Sequence, residues 1–392
     1  MEFPLKDPVF IFTLILVINL SSLFLAGRLR IPPLILQIIM GAIVGTNGLG
    51  ILARDDRLIM LEKIGLLYIM LMAGVQLNLS NFQKLGIRAL VFGLMTFGIP
   101  LGIGIVTGQA LSYTLLGCLL LGILYSPHTL MSYPIVASMG LAGKESVAVG
   151  VGGSAVTTLL TLSAYAIVKA IQSGNVGMQL YLNLLIYLPL LIAASFWIFP
   201  KLGHLMIEKY PKNVALHYLY VLTSMFVCAS ATNLLGVDGI VGAFVAGLAL
   251  NSIVPNDSEL MEKLVSIANM LFIPAFAISI GVLSNLGSLF ANINNMGIVL
   301  LVIGGAALGK FLAAWIAGKL FSYDFPSIMV IFGLTVSRAA LVLVIALFGK
   351  DAGLLSENVF NAIIVYIMVT CLFGPMITTL FAKKLDGVVE AV

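Results

Sequence analysis

Long apolar runs separated by short polar connections fill almost the whole chain. Roughly 20 apolar residues cross a bilayer as a helix, and on that measure the runs predict thirteen spans. They lie near 9–26, 32–51, 58–78, 87–110, 114–140, 145–170, 179–200, 214–235, 238–252, 260–283, 296–320, 325–349 and 357–382. The second and ninth are short or rich in glycine. Hydrocarbon offers the backbone no hydrogen-bond partner, so runs of this length imply helices throughout. The expected fold class is an all-α polytopic membrane protein.

Two passages interrupt the pattern. Ser126-Pro127-His128-Thr129 places polar, helix-breaking residues in the middle of the fifth span, and Gly333 to Arg338 (Gly-Leu-Thr-Val-Ser-Arg) does the same in the twelfth. Non-helical backbone at membrane depth is tolerated where it is buried in protein or lines a cavity. Interrupted spans in corresponding positions of two halves mark transporter sites and inverted repeats. The basic segment from Lys201 to Asn213 is read as the half-way loop. It divides the chain into one repeat at about 32–200 (spans two to seven) and another at about 214–383 (spans eight to thirteen). On the sixth span, Gly152-Gly153-Ser154-Ala155-Val156-Thr157-Thr158 offers a small, hydroxylated face beside the first break.

Composition narrows the class. The chain of 392 residues is 61% hydrophobic and 9% charged, far below the quarter expected of a soluble domain. The net charge of +4 is spread over short loops, so the expected partner is a lipid bilayer and not nucleic acid. With the N-terminus outside, twelve lysines and arginines between Arg28 and Lys384 fall on the cytoplasmic side, against six (Lys6, Arg54, Arg57, Lys63, Lys169, Lys350) outside. That asymmetry places the C-terminus in the cytoplasm. The first run is followed by Arg28 and Arg30 in place of a small-residue cleavage site, so it is expected to stay as a span. Cys118, Cys228 and Cys371 fall inside apolar runs without disulfide or metal spacing. No cofactor motif, metal cluster or nucleophile–base set appears, and the chain is not expected to be an enzyme.

Lys310 and Arg338 both lie mid-span. A cation near the bilayer centre costs about 3 kcal/mol or more, so each is expected to face protein or a cavity and to have a partner. No Asp or Glu lies in the middle of any span to supply one; Glu62 and Asp238 come nearest, at span ends. His128 titrates near neutral pH when unperturbed, and it serves equally well to bond loose backbone beside Pro127. The expected transport site is Ser126, His128, Thr129, Ser154, Thr157, Thr158, Lys310, Thr335, Ser337 and Arg338.

Several of these passages resemble the monovalent cation:proton antiporter superfamily, in particular its Kef-type and bacterial sodium/proton exchanger branch. Asp238 to Asn251 (DGIVGAFVAGLALN) and Phe272 to Gly281 (FIPAFAISIG) are similar to two of its spans, and Ser126 to Gly140 to its broken helix. Lys310 sits where the family carries a membrane-embedded lysine. The resemblance implies thirteen helices in inverted repeats and a homodimer. It also implies a core, about 87–170 and 296–382, that moves in an elevator fashion against dimerisation helices. The departures are specific. The family's sixth-span aspartate corresponds to Thr158, its Gly-Leu-Glu-x-Asp run to Gly74-Val75-Gln76-Leu77-Asn78, and its Gly-Met-x-x-Asp to Gly281-Val282-Leu283-Ser284-Asn285.

Three functions follow as expectations. The first is exchange of Na⁺ or K⁺ for H⁺ in the cell membrane, with Lys310 carrying the proton in place of the missing aspartate. The second is an anion or organic-acid carrier that uses Lys310 and Arg338. The third is a regulatory member of the family that does not transport.

Overall fold

The computed structural model describes the chain apart from residues 1–3, 6, 30, 77–78, 173, 175–181, 183–185, 256–257, 286, 288–292, 339 and 386–392. Lys6, Arg30, Leu77, Asn78 and the start of the seventh predicted span therefore lie outside the described residues. Within them the regular structure is helical, with no strand. In chain order the helices are α1 (Pro8–Leu29), α2 (Pro33–Val44), α3 (Asp56–Val75), α4 (Leu79–Ala110), α5 (Leu115–Tyr125), α6 (Tyr133–Ser138), α7 (Glu145–Gln172), α8 (Leu188–Lys209), α9 (Val214–Leu234) and α10 (Gly239–Leu250). They continue with α11 (Glu259–Leu283), which contains a π-turn at Ala268–Phe272, then α12 (Ile293–Leu320), α13 (Phe325–Val336), α14 (Ala340–Asp351) and α15 (Glu357–Leu385).

Among the described residues nine helices are long and apolar enough to cross a membrane. A tenth appears if the pair Phe325–Val336 and Leu341–Asp351, bent by 47°, counts as one broken span. The remaining predicted positions, the second, fifth and ninth, hold the shorter apolar helices Pro33–Val44, Leu115–Tyr125 and Gly239–Leu250. The expected half-way loop is also smaller than the sequence implied. α8 continues through Lys201 to Lys209, leaving only Tyr210–Asn213 as the turn. The lysines are accommodated on the helix because Lys201 stacks over Trp197 and Lys209 over Tyr210, the arrangement of a stem lying on apolar surface with its charge directed outward.

The chain forms two compact units. The first comprises residues 1–77 and 169–283, the second residues 78–168 and 284–392. In the first unit α2 packs on α11 and α3 on α10, and glycine makes both approaches close. A Cβ on Gly41 would lie 2.4 Å from the Ile278 carbonyl oxygen, and one on Gly281 would lie 2.2 Å from that of Ile38. Gly74 faces the Phe244 carbonyl at 2.4 Å, and Gly247 faces that of Leu71 at 2.3 Å, in the same way. These two helix pairs exchange when spans two and three are mapped onto nine and ten. The offset is seven spans, the same as between the breaks in the fifth and twelfth, where repeats at 32–200 and 214–383 imply six.

Two acidic side chains in this unit find complementary partners. Glu62, on the second turn of α3, receives both Nε and Nη2 of Arg54 at 3.0 Å and the Ser279 hydroxyl at 2.5 Å. Asp238 caps α10 through the Ile240 amide and pairs with Lys169.

The second unit packs α4 on α5, α12 on α4, and α13 and α12 on α15. Its apolar core includes Phe92, Val149, Ala314 and Ile331, and a further cluster of Val136, Val147, Val330 and Leu334. The fifth predicted span is broken as expected: α5 ends at Tyr125, residues 126–132 are not helical, and α6 begins at Tyr133. The twelfth breaks between Val336 and Ala340.

Candidate transport site

The second unit contains both breaks and both buried cations. Pro127 has no N–H, so α5 cannot continue its hydrogen-bond ladder through it. The last carbonyls of a helix have no intrahelical donor and carry the negative end of the helix dipole. Two cations take the final two. Arg338 donates Nη2–H to the Tyr125 carbonyl at 2.6 Å, and Lys310 donates from Nζ to the Ser126 carbonyl at 2.5 Å. The C-terminus of α5 thus supplies the negative counterpart that no carboxylate supplies.

Lys310 reaches this point because α12 lies tight against its neighbours. A Cβ on Gly309 would sit 2.9 Å from Cα of Pro100, and one on Gly305 would sit 3.0 Å from the Thr107 hydroxyl. Pro100 in α4 has a second effect. Its missing N–H leaves the carbonyl four residues earlier, that of Thr96, without its helical donor. Lys310 Nζ donates to that carbonyl at 2.8 Å, lies 2.7 Å from the Thr96 hydroxyl, and is 3.2 Å from Nδ1 of His128. The lysine is wholly buried. Its neighbours are four neutral acceptors, and among the described residues neither it nor Arg338 joins an ion pair with a carboxylate.

Arg338 is also wholly buried. Besides the Tyr125 carbonyl it donates Nε–H to the Tyr366 hydroxyl at 2.6 Å and lies over the Tyr366 ring. Among the described residues its Nη1 has no hydrogen-bond partner, and neither does Nε2 of His128. The two breaks are tied by a main-chain bond from the Thr129 amide to the Ser337 carbonyl, at 3.0 Å.

The predicted site residues divide into three groups. Ser126, His128 and Lys310 meet directly. Arg338 joins them through the next carbonyl, and Thr129 and Ser337 hold the crossing; the Ser126 hydroxyl itself donates to the Phe97 and Gly122 carbonyls, and Thr129 is exposed. The remaining hydroxyls are placed otherwise. Thr157 donates to the Gly93 and Gly153 carbonyls and Thr335 to that of Ile331, while Ser154 is buried and Thr158 half-buried on α7. None of these four is a hydrogen-bond partner of Lys310. The Gly152-Gly153 face is first a packing surface, since a Cβ on Gly153 would meet the Phe92 ring at 2.5 Å.

Sequence reasoning missed Thr96, Tyr125 and Tyr366. Thr96 had a readable signal: it stands four residues before a proline inside an apolar run. Tyr125 and Tyr366 are read only from three-dimensional placement.

Comparison with known proteins bears on the family and the fold. The transmembrane family described as sodium/hydrogen exchanger matches the chain over residues 11–384. The chain is 32% identical to the Na(+)/H(+) antiporter NhaS5 of Synechocystis sp. over 97% of its own length, and spans 55% of that relative. It is 26% identical to the probable Na(+)/H(+) antiporter 3 of Methanocaldococcus jannaschii, covering 94% of this chain and 95% of the other. The structure of the sodium proton antiporter MjNhaP1 from the same organism superposes with a TM-score of 0.72 at 17% identity, over 97% of this chain and 98% of that one. At that identity the likeness is one of fold.

Proposed function

The chain belongs to the sodium/hydrogen exchanger family, and from that premise we propose that it exchanges a monovalent cation, Na⁺ or K⁺, for protons across the cell membrane. The observation that carries the reading is the wholly buried amine of Lys310, held by neutral oxygens and a ring nitrogen with no carboxylate partner among the described residues. A charged group at this depth is expensive, so beside the fixed charge of Arg338 the Lys310 position favours one further positive charge at a time. The Thr96 and Ser126 carbonyls that bond the ammonium are freed main-chain oxygens of the kind that coordinate Na⁺ at broken helices. A cation arriving at them competes with the proton on Lys310, which couples the two without the aspartate that the family resemblance implies at Thr158.

The site residues all belong to one compact unit. That supports an elevator in which residues 78–168 and 284–392 carry the ion, with hydroxyls of Ser154, Thr157, Thr158, Thr335 and Ser337 within the moving body. An N-terminus outside, a cytoplasmic C-terminus and a homodimer complete the proposal. The names of the two relatives, one a sodium–proton antiporter and the other a probable one, support cation exchange over the anion carrier that Lys310 and Arg338 also suggest.

The test is proton flux in proteoliposomes with an internal pH dye. Na⁺, K⁺ and a panel of anions are added in turn to the wild type, Lys310→Ala and Thr158→Asp. Cation-triggered proton movement that disappears in Lys310→Ala is the expected result. Silence to every cation, with a response appearing only in Thr158→Asp or only to an anion, overturns it.

A further inference from the structure

We propose that His128 is the proton relay of Lys310, receiving its proton on Nδ1 and releasing one from Nε2. The inference rests on the antiport reading and assigns the path by which the proton leaves. Nδ1 of His128 lies 3.2 Å from Lys310 Nζ, within the distance over which a proton moves directly between heavy atoms. The amine's other contacts cannot serve. The Thr96 and Ser126 carbonyls accept hydrogen bonds without taking the proton, and a threonine hydroxyl does not ionise near neutral pH. Among the described residues His128 is the titratable hydrogen-bond neighbour of the amine, and it has a second, distinct ring nitrogen. That nitrogen, Nε2, is buried and has no partner in the described structure. Buried polar atoms are nearly always bonded, and an orphan marks a functional group or a place for water.

The protonation states balance. When Lys310 is an ammonium, Nδ1 accepts its N–H and Nε2 holds the ring proton. Transfer breaks an Nζ–H bond and forms Nδ1–H, giving an imidazolium beside a neutral amine. The Nε2–H bond then breaks and the proton passes to a water molecule admitted when the site opens. The ring is left neutral with its proton on Nδ1, which donates to the amine lone pair. Loading runs in reverse, from water to Nε2 and from Nδ1 to Nζ, and restores the first tautomer, so no ring flip is needed. The groups facing this pair are Arg338 from the second break, Tyr125 on α5 and Tyr366 on α15, joined through Arg338. They include no carboxylate that would hold the imidazolium and trap the proton.

Two measurements test the relay. His128→Asn keeps a hydrogen-bonding group near the Nδ1 position but has no second nitrogen to ionise. It is expected to lower sodium-driven proton flux about tenfold or more and to flatten its pH profile. Exchange of labelled sodium for sodium at equal pH, which needs no proton transfer, should fall less than the proton flux. An unchanged flux and pH profile would overturn the relay, as would equal loss of both exchanges in a folded variant. The second measurement uses wild-type His128. The chain has three histidines, so His204→Gln with His217→Gln leaves one, and nitrogen NMR of its labelled ring reads the tautomer. A switch from Nε2–H to Nδ1–H as Lys310 deprotonates supports the relay, and a fixed tautomer overturns it. If the wild type moves no protons on adding sodium, antiport fails on the flux data while the NMR result still decides the relay.

Discussion

The two units bury charge in opposite ways. In the first, Glu62 is closed by a bidentate arginine and a serine, so its carboxylate meets a full positive charge. In the second, Lys310 and Arg338 meet carbonyl dipoles, hydroxyls and an imidazole. An ion pair fixes its own protonation, because removing either charge strands the other. A lone ammonium on neutral acceptors is stabilised enough to exist, yet an amine in its place strands no opposite charge. The contrast separates a buried charge that holds a fold together from one that is free to change state.

The largest break in this comparison is at Lys310. Lys310→Met replaces the amine with an apolar side chain of similar length. Transport should fall to background in the flux assay, while thermal unfolding in detergent should show a smaller loss of stability than a broken ion pair, since the Thr96 and Ser126 carbonyls lose a donor but no buried counter-charge is left behind. A large loss of stability with residual transport would mean that Lys310 is structural, like Glu62.

The reverse is expected at Glu62. Glu62→Ala removes the carboxylate that Arg54 and Ser279 both bond. The expected loss is about 3 kcal/mol of stability, less whatever water recovers at Arg54, whose side chain is 18% exposed. Transport per folded molecule should be retained, and labelled-sodium uptake normalised to folded protein checks it. A Glu62 variant that is stable but inactive would move the chemistry into the first unit.

Packing gives a smaller effect, and a control within one residue type. Gly247→Ala places a methyl 2.3 Å from the Leu71 carbonyl, where backbone must shift, at about 1–3 kcal/mol. Gly98→Ala meets nothing within 4 Å and should be neutral or slightly stabilising in its helix. Unfolding midpoints of the two variants, measured together, decide whether the glycine contacts are as tight as they stand.

Much of this was legible in the sequence because its causes are local. Apolar run length located the helices, and Pro127 and Ser337-Arg338 located the breaks, since a missing N–H and a polar run act where they stand. The partners of the cations were not legible. Tyr125 and Ser126 serve Arg338 and Lys310 through carbonyls that every residue has, so side-chain identity carries no signal. Lys310 was placed by its depth, but its contact with Thr96 depends on Gly305 and Gly309 letting α12 close on α4. One signal was present and unread. Leu111-Ser112-Tyr113 and Phe321-Ser322-Tyr323 stand 210 residues apart, the interval that also separates His128 from Arg338. That interval fixes the repeat frame at seven spans and sets the two break residues in equivalent places.

The structure makes the repeat physical, and it yields the smallest prediction. Among the described residues Ser112 and Ser322 are the non-glycine residues with positive φ, at 60° and 59°, and each turns the chain into a following half-helix. The tyrosine after each reaches the N-terminus of another helix in the same unit. Tyr113 shares a hydrogen bond with the Ser356 hydroxyl at 2.8 Å and accepts from its amide at 3.0 Å, before α15. Tyr323 donates to Glu145 at 2.6 Å, at the start of α7, where Glu145 also pairs with Arg88. These contacts are exposed, so Tyr113→Phe and Tyr323→Phe should each lower stability by about 1 kcal/mol or less. They differ in how pH acts. Burial, then the Glu145 carboxylate, pushes the Tyr323 phenol upward. Its contribution is therefore complete below the ordinary tyrosine range near pH 10 and is lost as pH rises beyond it. Unfolding of wild type and Tyr323→Phe at neutral and strongly alkaline pH should converge at the alkaline end. A constant gap between them would show that the hydroxyl at this turn is spectator to the repeat and not part of what fixes it.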